Sequence, residues 1–178
     1  VNTNNTDNLH YFDLDIEKGS TIAKELNSVD PEFEKSVSVV NDFMLQGSLD
    51  SLEASSFNIV LGLSQSRKLN AGIGDEIALM IPDTNASFAG YFPKIKTFTV
   101  SGIFRVGSPE LDQTNAFINI SDASKLMSLN NKVHGLRLKF DDLFKAGTLS
   151  LTALTDAETQ TNQLLTSKDW TNSYGSLF

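Results

Sequence analysis

The sequence contains no cysteine. Disulfides, thiolate zinc sites and cysteine nucleophiles are therefore excluded. The absence fits a bacterial envelope compartment, although many cytosolic chains are also poor in cysteine. Histidine is scarce: His10 and His134 each stand in a strand-like run with no second histidine at ligand spacing, which reads as two surface or rim residues. No G-x-S-x-G elbow and no G-x-x-x-x-G-K-[ST] loop is present. "GIGD" (Gly72 to Asp75) lacks the third glycine of a dinucleotide loop and reads as a plain turn before a strand. No catalytic residue, cofactor or metal is expected. No apolar run approaches the roughly 18 residues of a membrane span, and no basic-then-apolar leader opens the chain. As given, the piece reads as soluble, and as one that could be cut from something larger. Cations are outnumbered, 14 Lys+Arg against 22 Asp+Glu, for a net charge of −8. That balance argues against nucleic acid and anionic lipid headgroups as general partners.

What is present is ordinary globular composition, 40% hydrophobic and 20% charged over 178 residues, enough for one domain or two small lobes. After a polar start, "HYFDLDI" alternates through Phe12, Leu14 and Ile16 as a strand does. "TIAKEL" suits a returning strand or a helix, and Asp30-Pro31 breaks the chain before a helix or turn. "FNIVLG" predicts a buried strand, "LSQSRKL" a short helix, and Glu76 to Ile81 a strand. "KIKTFTVSGIFRVG" predicts a long half-buried strand with Phe98, Val100, Phe104 and Val106 at one parity, and Gly102 allows a bulge or close packing. "TNAFINI" is a further strand, followed by a helix with Ser121 as its N-cap and Asp122 in its first turn. "KVHGLRLKF" alternates, and "DDLFKAGTLSLTALTDAETQTNQLL" predicts a helix with a weak, Thr-rich second half. The order suggests an α+β fold, a β-rich middle lobe (47–131) inserted into an α/β lobe built from both ends (1–46 and 132–178).

Carboxylate pairs (Asp13 with Asp15, Asp141 with Asp142, Glu110 with Asp112) read mostly as solvated faces or caps, since no calcium-loop pattern holds them. "SPELD" reads as acids fixing a turn between strands. The stretch "IPDTNASFAGYFP" is less ordinary. Pro82 and Pro93 bracket it, Gly90 permits a positive φ near its tip, and Phe88, Tyr91 and Phe92 put aromatics where a loop tip is normally polar. If the flanking strands pair antiparallel, residues 82–93 form a β-hairpin arm. From Ile77 to Val106 three cations (Lys94, Lys96, Arg105) face one carboxylate (Asp83), against the sign of the whole chain. An aromatic arm beside a basic patch suits docking to a partner. The other reading is that the aromatics fold back as a local mini-core, and composition does not choose between them.

In this order and spacing, "VDPEFE", "FNIVLG", "GDEIALMIP", "FTVSGIF", "ELDQTNAFINISDASKLM", "VHGLRLKFDDLFKA" and a terminal "W…YGSLF" are similar to the LolC/LolE family, over about Leu9 to Phe178. These are membrane subunits of the bacterial lipoprotein-releasing ABC transporter. The resemblance implies a MacB-like periplasmic domain of two lobes, an α/β Porter lobe and a β-rich Sabre lobe, with a projecting β-hairpin. It implies a place on the periplasmic face of the inner membrane, between two flanking membrane helices that this piece lacks. The first Porter strand and helix, expected ahead of "HYFDLDI", are also missing. "WTNSYGSLF" looks like the run that enters the second membrane helix.

The partners implied are a LolA-like periplasmic carrier, the lipoprotein substrate, a LolD-like ATPase and a second transmembrane subunit, with no nucleic acid. The chain itself would then be no enzyme. In LolC-type subunits a proline-bracketed hairpin, the Hook, captures the carrier, and a nearby surface, the Pad, adds basic contacts. The partner-binding residues implied are Pro82, Phe88, Ala89, Gly90, Tyr91, Phe92, Pro93, Lys94 and Lys96. Two positions depart from the family pattern. Ala78 stands where a Pad arginine is expected, and Ile95 where a polar residue is expected; the loop is also one residue shorter. The hairpin points to a LolC- or merged LolF-like subunit. A MacB-like export permease domain coupled to a membrane-fusion protein is the alternative, and a carboxylate-dependent hydrolase a third.

Overall fold

The computed structural model describes residues 25–81, 94–129, 138–161 and 164–167. The chain falls into two compact units, Val1–Arg137 and Leu138–Phe178.

In the first unit, β1 (Glu25–Val29) leads through Asp30 into α1 (Pro31–Val37). Proline has no N–H to lose at the first helical position, and the Asp30 carboxylate accepts the Glu32 N–H at 3.0 Å. A 3₁₀ turn (Val40–Phe43) precedes β2 (Met44–Gly47), and another (Leu49–Ser51) follows it. Lys35 of α1 ties down that second turn through Asp50, and this hydrogen bond holds the Asp50 carboxyl below its ordinary value. Next come β3 (Asn58–Gly62), α2 (Leu63–Leu69), β4 (Glu76–Ile81) and β5 (Lys94–Phe104). The unit continues with α3 (Pro109–Thr114), β6 (Asn115–Asn119) and α4 (Ile120–Met127).

The six strands form one mixed sheet in the order β1-β6-β3-β5-β2, with β4 also pairing β5. β1/β6 and β3/β5 run parallel, and the other pairs are antiparallel. Both faces are buried. Ile59 and Leu61 of β3, with Ala116 and Ile118 of β6, pack on one side with Leu26, Phe98 and Val100. The alternate residues Val60 and Phe117 pack on the other side with Val29, Leu49, Leu52 and Phe104. Each side has an edge-to-face aromatic pair, Phe57 on Phe98 and Phe104 on Phe117.

Three expectations are corrected here. β5 does not keep one parity along its length. Ile59 pairs Val100 and Val60 pairs Gly102, so Ser101 is an extra residue on β5 and the pleat shifts phase there. Phe98, Val100 and Ile103 share one core, while Phe104 turns to the other. The glycine beside the bulge does serve close packing, since a Cβ at Gly102 would lie 2.8 Å from Met44 Cε and 2.9 Å from Val60 Cγ2.

The second correction concerns the cap of α4, which is Asn119 rather than Ser121. The Asn119 Oδ1 accepts the Ser121 N–H at 2.8 Å, while its Nδ2 donates to the Leu52 carbonyl at 2.7 Å. This long-range bond fixes the asparagine where the helix must begin. The "GIGD" turn reading holds: Asp75 accepts the Gly72 N–H at 2.8 Å, with Gly74 at φ +88°. The "SPELD" reading is corrected: Pro109 opens a helix, α3, and from inside it buried Asp112 accepts the N–H groups of Val106 (2.7 Å) and Gly107 (3.1 Å), holding the turn just ahead of the helix.

In the second unit, a 3₁₀ turn (Leu143–Lys145) leads into α5 (Ala146–Thr161). The Thr-rich half stays helical. Thr152, Thr155 and Thr159 each donate the side-chain hydroxyl to the carbonyl four residues earlier, which satisfies these groups inside the helix. Of the strand read in "KVHGLRLKF", the part up to Arg137 lies outside the described residues, as does "HYFDLDI".

Candidate functional site

β4 and β5 pair antiparallel in unbroken register from Glu76↔Thr99 to Ile81↔Lys94. Residues 82–93 therefore leave and re-enter the sheet at a single cross-strand pair, as an arm requires. Pro82, Phe88, Ala89, Gly90, Tyr91, Phe92 and Pro93 themselves lie outside the described residues. Lys94 and Lys96 lie within them, at the root of β5.

The β4–β5 ribbon has two unlike faces, because cross-strand partners share a face. One carries Ala78 opposite Thr97 and Met80 opposite Ile95. Met80 and Ile95 are 38% and 57% exposed, so the end of this face next to residue 82 is apolar and has no cation at Ala78, while Glu76 opposite Thr99 continues the face at its far end. The other face carries buried Leu79 and Ile81, whose partners are Lys96 and Lys94. The lysine stems thus start over apolar neighbours while their ammonium groups reach outward. The Lys94 Nζ donates to the Ser128 hydroxyl at 3.0 Å. The Lys96 Nζ sits 3.9 Å from the centroid of the Phe57 ring, a close cation–π contact.

Phe57 is the unusual residue of this face. Its φ is +51°, in the left-handed region that bulky residues rarely enter, and Ser55 lies at +70°. The conformation is held from both ends. Asp122 of α4, fully buried, accepts the Ser55 N–H at 2.8 Å and the Phe57 N–H at 2.9 Å. On the other side the Phe57 carbonyl accepts the Thr99 N–H at 2.9 Å. One turn along α4, the Lys125 Nζ lies 3.7 Å from Asp122 Oδ1 and 5.7 Å from the Phe57 centroid, and it donates to the Ser55 hydroxyl. Asp122 and Lys125 lie one turn apart on α4, and Ser128, its left-handed C-cap, meets Lys94 at the start of β5.

The structure thus gathers Lys96 and Lys125 around one aromatic ring, with Lys94 tied to Ser128 at the end of α4. Sequence reading found Lys94 and Lys96 and missed Phe57 and Lys125. Phe57 looked like the first residue of an apolar strand. In Lys125, the i, i+3 spacing from Asp122 was the available signal.

Curated relatives align with most of the chain. The lipoprotein-releasing system transmembrane protein LolC of Neisseria meningitidis serogroup B is 32% identical over 154 residues, 86% of this chain and 36% of the relative. LolC of Xylella fastidiosa is 32% identical over 153 residues, with the same two shares. LolE of Haemophilus influenzae is 26% identical over 165 residues, 92% of this chain and 38% of the relative. The matched region belongs to the LolC/LolE family. This chain spans little more than a third of the length of those LolC and LolE proteins.

No family model matches the chain. A domain of a putative permease from Porphyromonas gingivalis aligns over 76% of this chain and 54% of that one, at 17% identity and a TM-score of 0.39. Among the described residues, no helix is long and apolar enough to cross a membrane. Lys96, for which the resemblance implies a Pad contact, pairs with buried Leu79, and the two positions that depart from the implied pattern, Ala78 and Ile95, fall on the other face of the ribbon.

Proposed function

We propose that this chain is the periplasmic part of a permease subunit in a lipoprotein-releasing ABC transporter. Residues 82–93, with Lys94 and Lys96 at their root, dock a LolA-like carrier that receives the lipoprotein. ATP hydrolysis belongs to a separate LolD-like subunit, and the chain joins a second transmembrane subunit through helices outside this piece. The Porter and Sabre lobes, 1–46 with 132–178 and 47–131, and the LolC- or LolF-like assignment go with this reading. The observation that carries it is the alignment with LolC and LolE over most of the chain. The in-register pair Ile81↔Lys94 supports the arm.

That pair also supplies the test. Antiparallel partners can be joined by a two-residue Asn-Gly turn. Replacing 82–93 with Asn-Gly therefore removes the arm and leaves β4 and β5 paired. Carrier binding, measured by calorimetry with the purified carrier, should weaken by about 100-fold or more, as for loss of several aromatic anchors. The urea midpoint should be unchanged. Phe88→Asp and Tyr91→Asp should each reproduce part of the loss. Equal affinity with and without the arm would reject the docking role and favour an export permease that couples through its lobes.

A further inference from the structure

We infer that the outer part of the β4–β5 ribbon, residues 77–81 with 94–98, is a flap that lifts off α4 about Thr99 and Val100 and is refastened by its own lysines. The inference concerns this chain's strands alone and stands whether or not residues 82–93 dock a carrier. Strand pairing defines the flap. β3 joins β5 only from Thr99 onward and β2 only from Gly102, so among the described residues 94–98 pair with β4 alone. A two-stranded ribbon is marginal in water unless a further element supports it. Support here is slight. Within the flap only Leu79, Ile81 and Phe98 are buried, whereas all of β6 is. Leu79 and Ile81 belong to one apolar cluster with Leu126 and Met127 of α4, and the outer face of the flap adds nothing to it.

Hinge and catch are both present. At the base, the Thr99 N–H donates to the Phe57 carbonyl (2.9 Å), the Gly74 N–H to the Val100 carbonyl (2.8 Å) and the Val100 N–H to the Asp75 carbonyl (2.8 Å). The backbone is therefore tied on both sides at the point where pairing with β3 begins. Beyond that point two polar contacts fasten the flap, Lys94 to the Ser128 hydroxyl and Lys96 to the Phe57 ring. Both receiving groups are set without the flap. Ser128 is the left-handed C-cap of α4. Phe57 is held at positive φ by Asp122 and Thr99, neither of which lies in the flap. The ring therefore keeps its place when Lys96 leaves, and closure meets partners already in position. Local opening of this kind needs only a fraction of the free energy of unfolding. It gives Ile81 and Lys94, where residues 82–93 leave and rejoin the sheet, two settings instead of one.

The test exploits the absence of cysteine, since one introduced thiol is then the only one in the 178-residue chain. Ile81→Cys reports on the underside of the flap, and Val60→Cys, at a fully buried position of β3, on the centre of the sheet. Labelling by an aromatic disulfide is followed in native buffer and in urea below the unfolding transition. Ile81→Cys should react about ten-fold faster than Val60→Cys, or more, because it needs only local opening. Its rate should also rise less steeply with urea, because lifting the flap exposes less surface than unfolding does. Adding Lys96→Gln should speed the labelling of Ile81→Cys about three-fold, as for loss of one exposed cation–π contact. Lys96→Arg should keep the slower rate. If Ile81→Cys fails to fold by circular dichroism, Leu79→Cys reads the same face. Equal rates and equal urea slopes at the two positions would mean that the ribbon opens only when the chain unfolds, and would overturn the inference. So would an Ile81→Cys rate as fast as that of the unfolded chain, which leaves no closed state, or no change with Lys96→Gln, which leaves no catch.

Discussion

Asp122→Ala will remove about 3 kcal/mol of stability, the sum expected when a charged acceptor leaves two partly buried N–H donors unpaired. The side chain is fully buried and bonds Ser55 and Phe57 across 67 and 65 residues of chain, so it joins α4 to the loop before β3. Those two residues hold positive φ without being glycine. Such strain costs on the order of 1 kcal/mol or more per residue and persists only while its surroundings enforce it. Without the carboxylate, the backbone from Ser55 to Phe57 can relax toward ordinary φ. The Phe57 ring would then swing away from Phe98 and from beneath Lys96. The alanine variant should therefore show a lower urea midpoint and, under conditions where it is still folded, weaker carrier binding. Asp122→Asn keeps one acceptor oxygen and should cost about half as much. A stability within about 0.5 kcal/mol of wild type for the alanine variant, roughly the extrapolation error of such a fit, would show that the loop does not depend on this carboxylate.

What the sequence could and could not convey follows from the range of the forces involved. "LSQSRKL" and "EIALMI" become α2 and β4 at the predicted bounds, because periodicity and flanking glycines act within a few residues. The alternation in β5 was misread at one point. Ile103 and Phe104 are both apolar, so either parity satisfies the pattern, and pairing with β3 decides between them by inserting Ser101. Asn119 was passed over as a cap because its second bond, to Leu52, lies 67 residues away.

The same rule divides the site. Lys94 and Lys96 were legible as a local reversal of charge. Phe57 and Lys125 were not, because they meet through a tertiary contact and a backbone conformation that composition does not reveal. Asp112 looked like one half of a carboxylate pair and is instead spent on holding the Val106–Gly107 turn. The aromatic stretch 82–93 was conspicuous in the sequence, and it lies outside the described residues.

The phase shift in β5 is also where a single methyl group will do the most damage. Gly47 of β2 stands opposite Gly102, beside the extra residue Ser101. Its φ is +69°, and a Cβ there would lie 2.0 Å from the Ser101 carbonyl oxygen and 2.8 Å from Gly102 Cα. Both are backbone atoms, so no side-chain rotation relieves the clash. Ser101 itself has little room to yield, since Ser51 donates to its hydroxyl at 2.7 Å.

Gly47→Ala should cost about 3 kcal/mol or more, roughly 1 from the left-handed backbone and about 2 from overpacking. Gly74 separates the two contributions. Its φ is +88° but a Cβ there meets nothing within 4 Å, and its N–H can still donate to the Val100 carbonyl. Gly74→Ala should therefore cost only about 1 kcal/mol, the backbone part alone. Equal losses in the two variants, read from urea midpoints, would mean that the sheet absorbs the methyl group and that the bulge is soft. A larger loss at Gly47 would mean that the bulge is rigid. In that case the direction in which β5 carries Lys94 and Lys96 is set from the far end of the strand, by a glycine on another strand that pairs with Gly102.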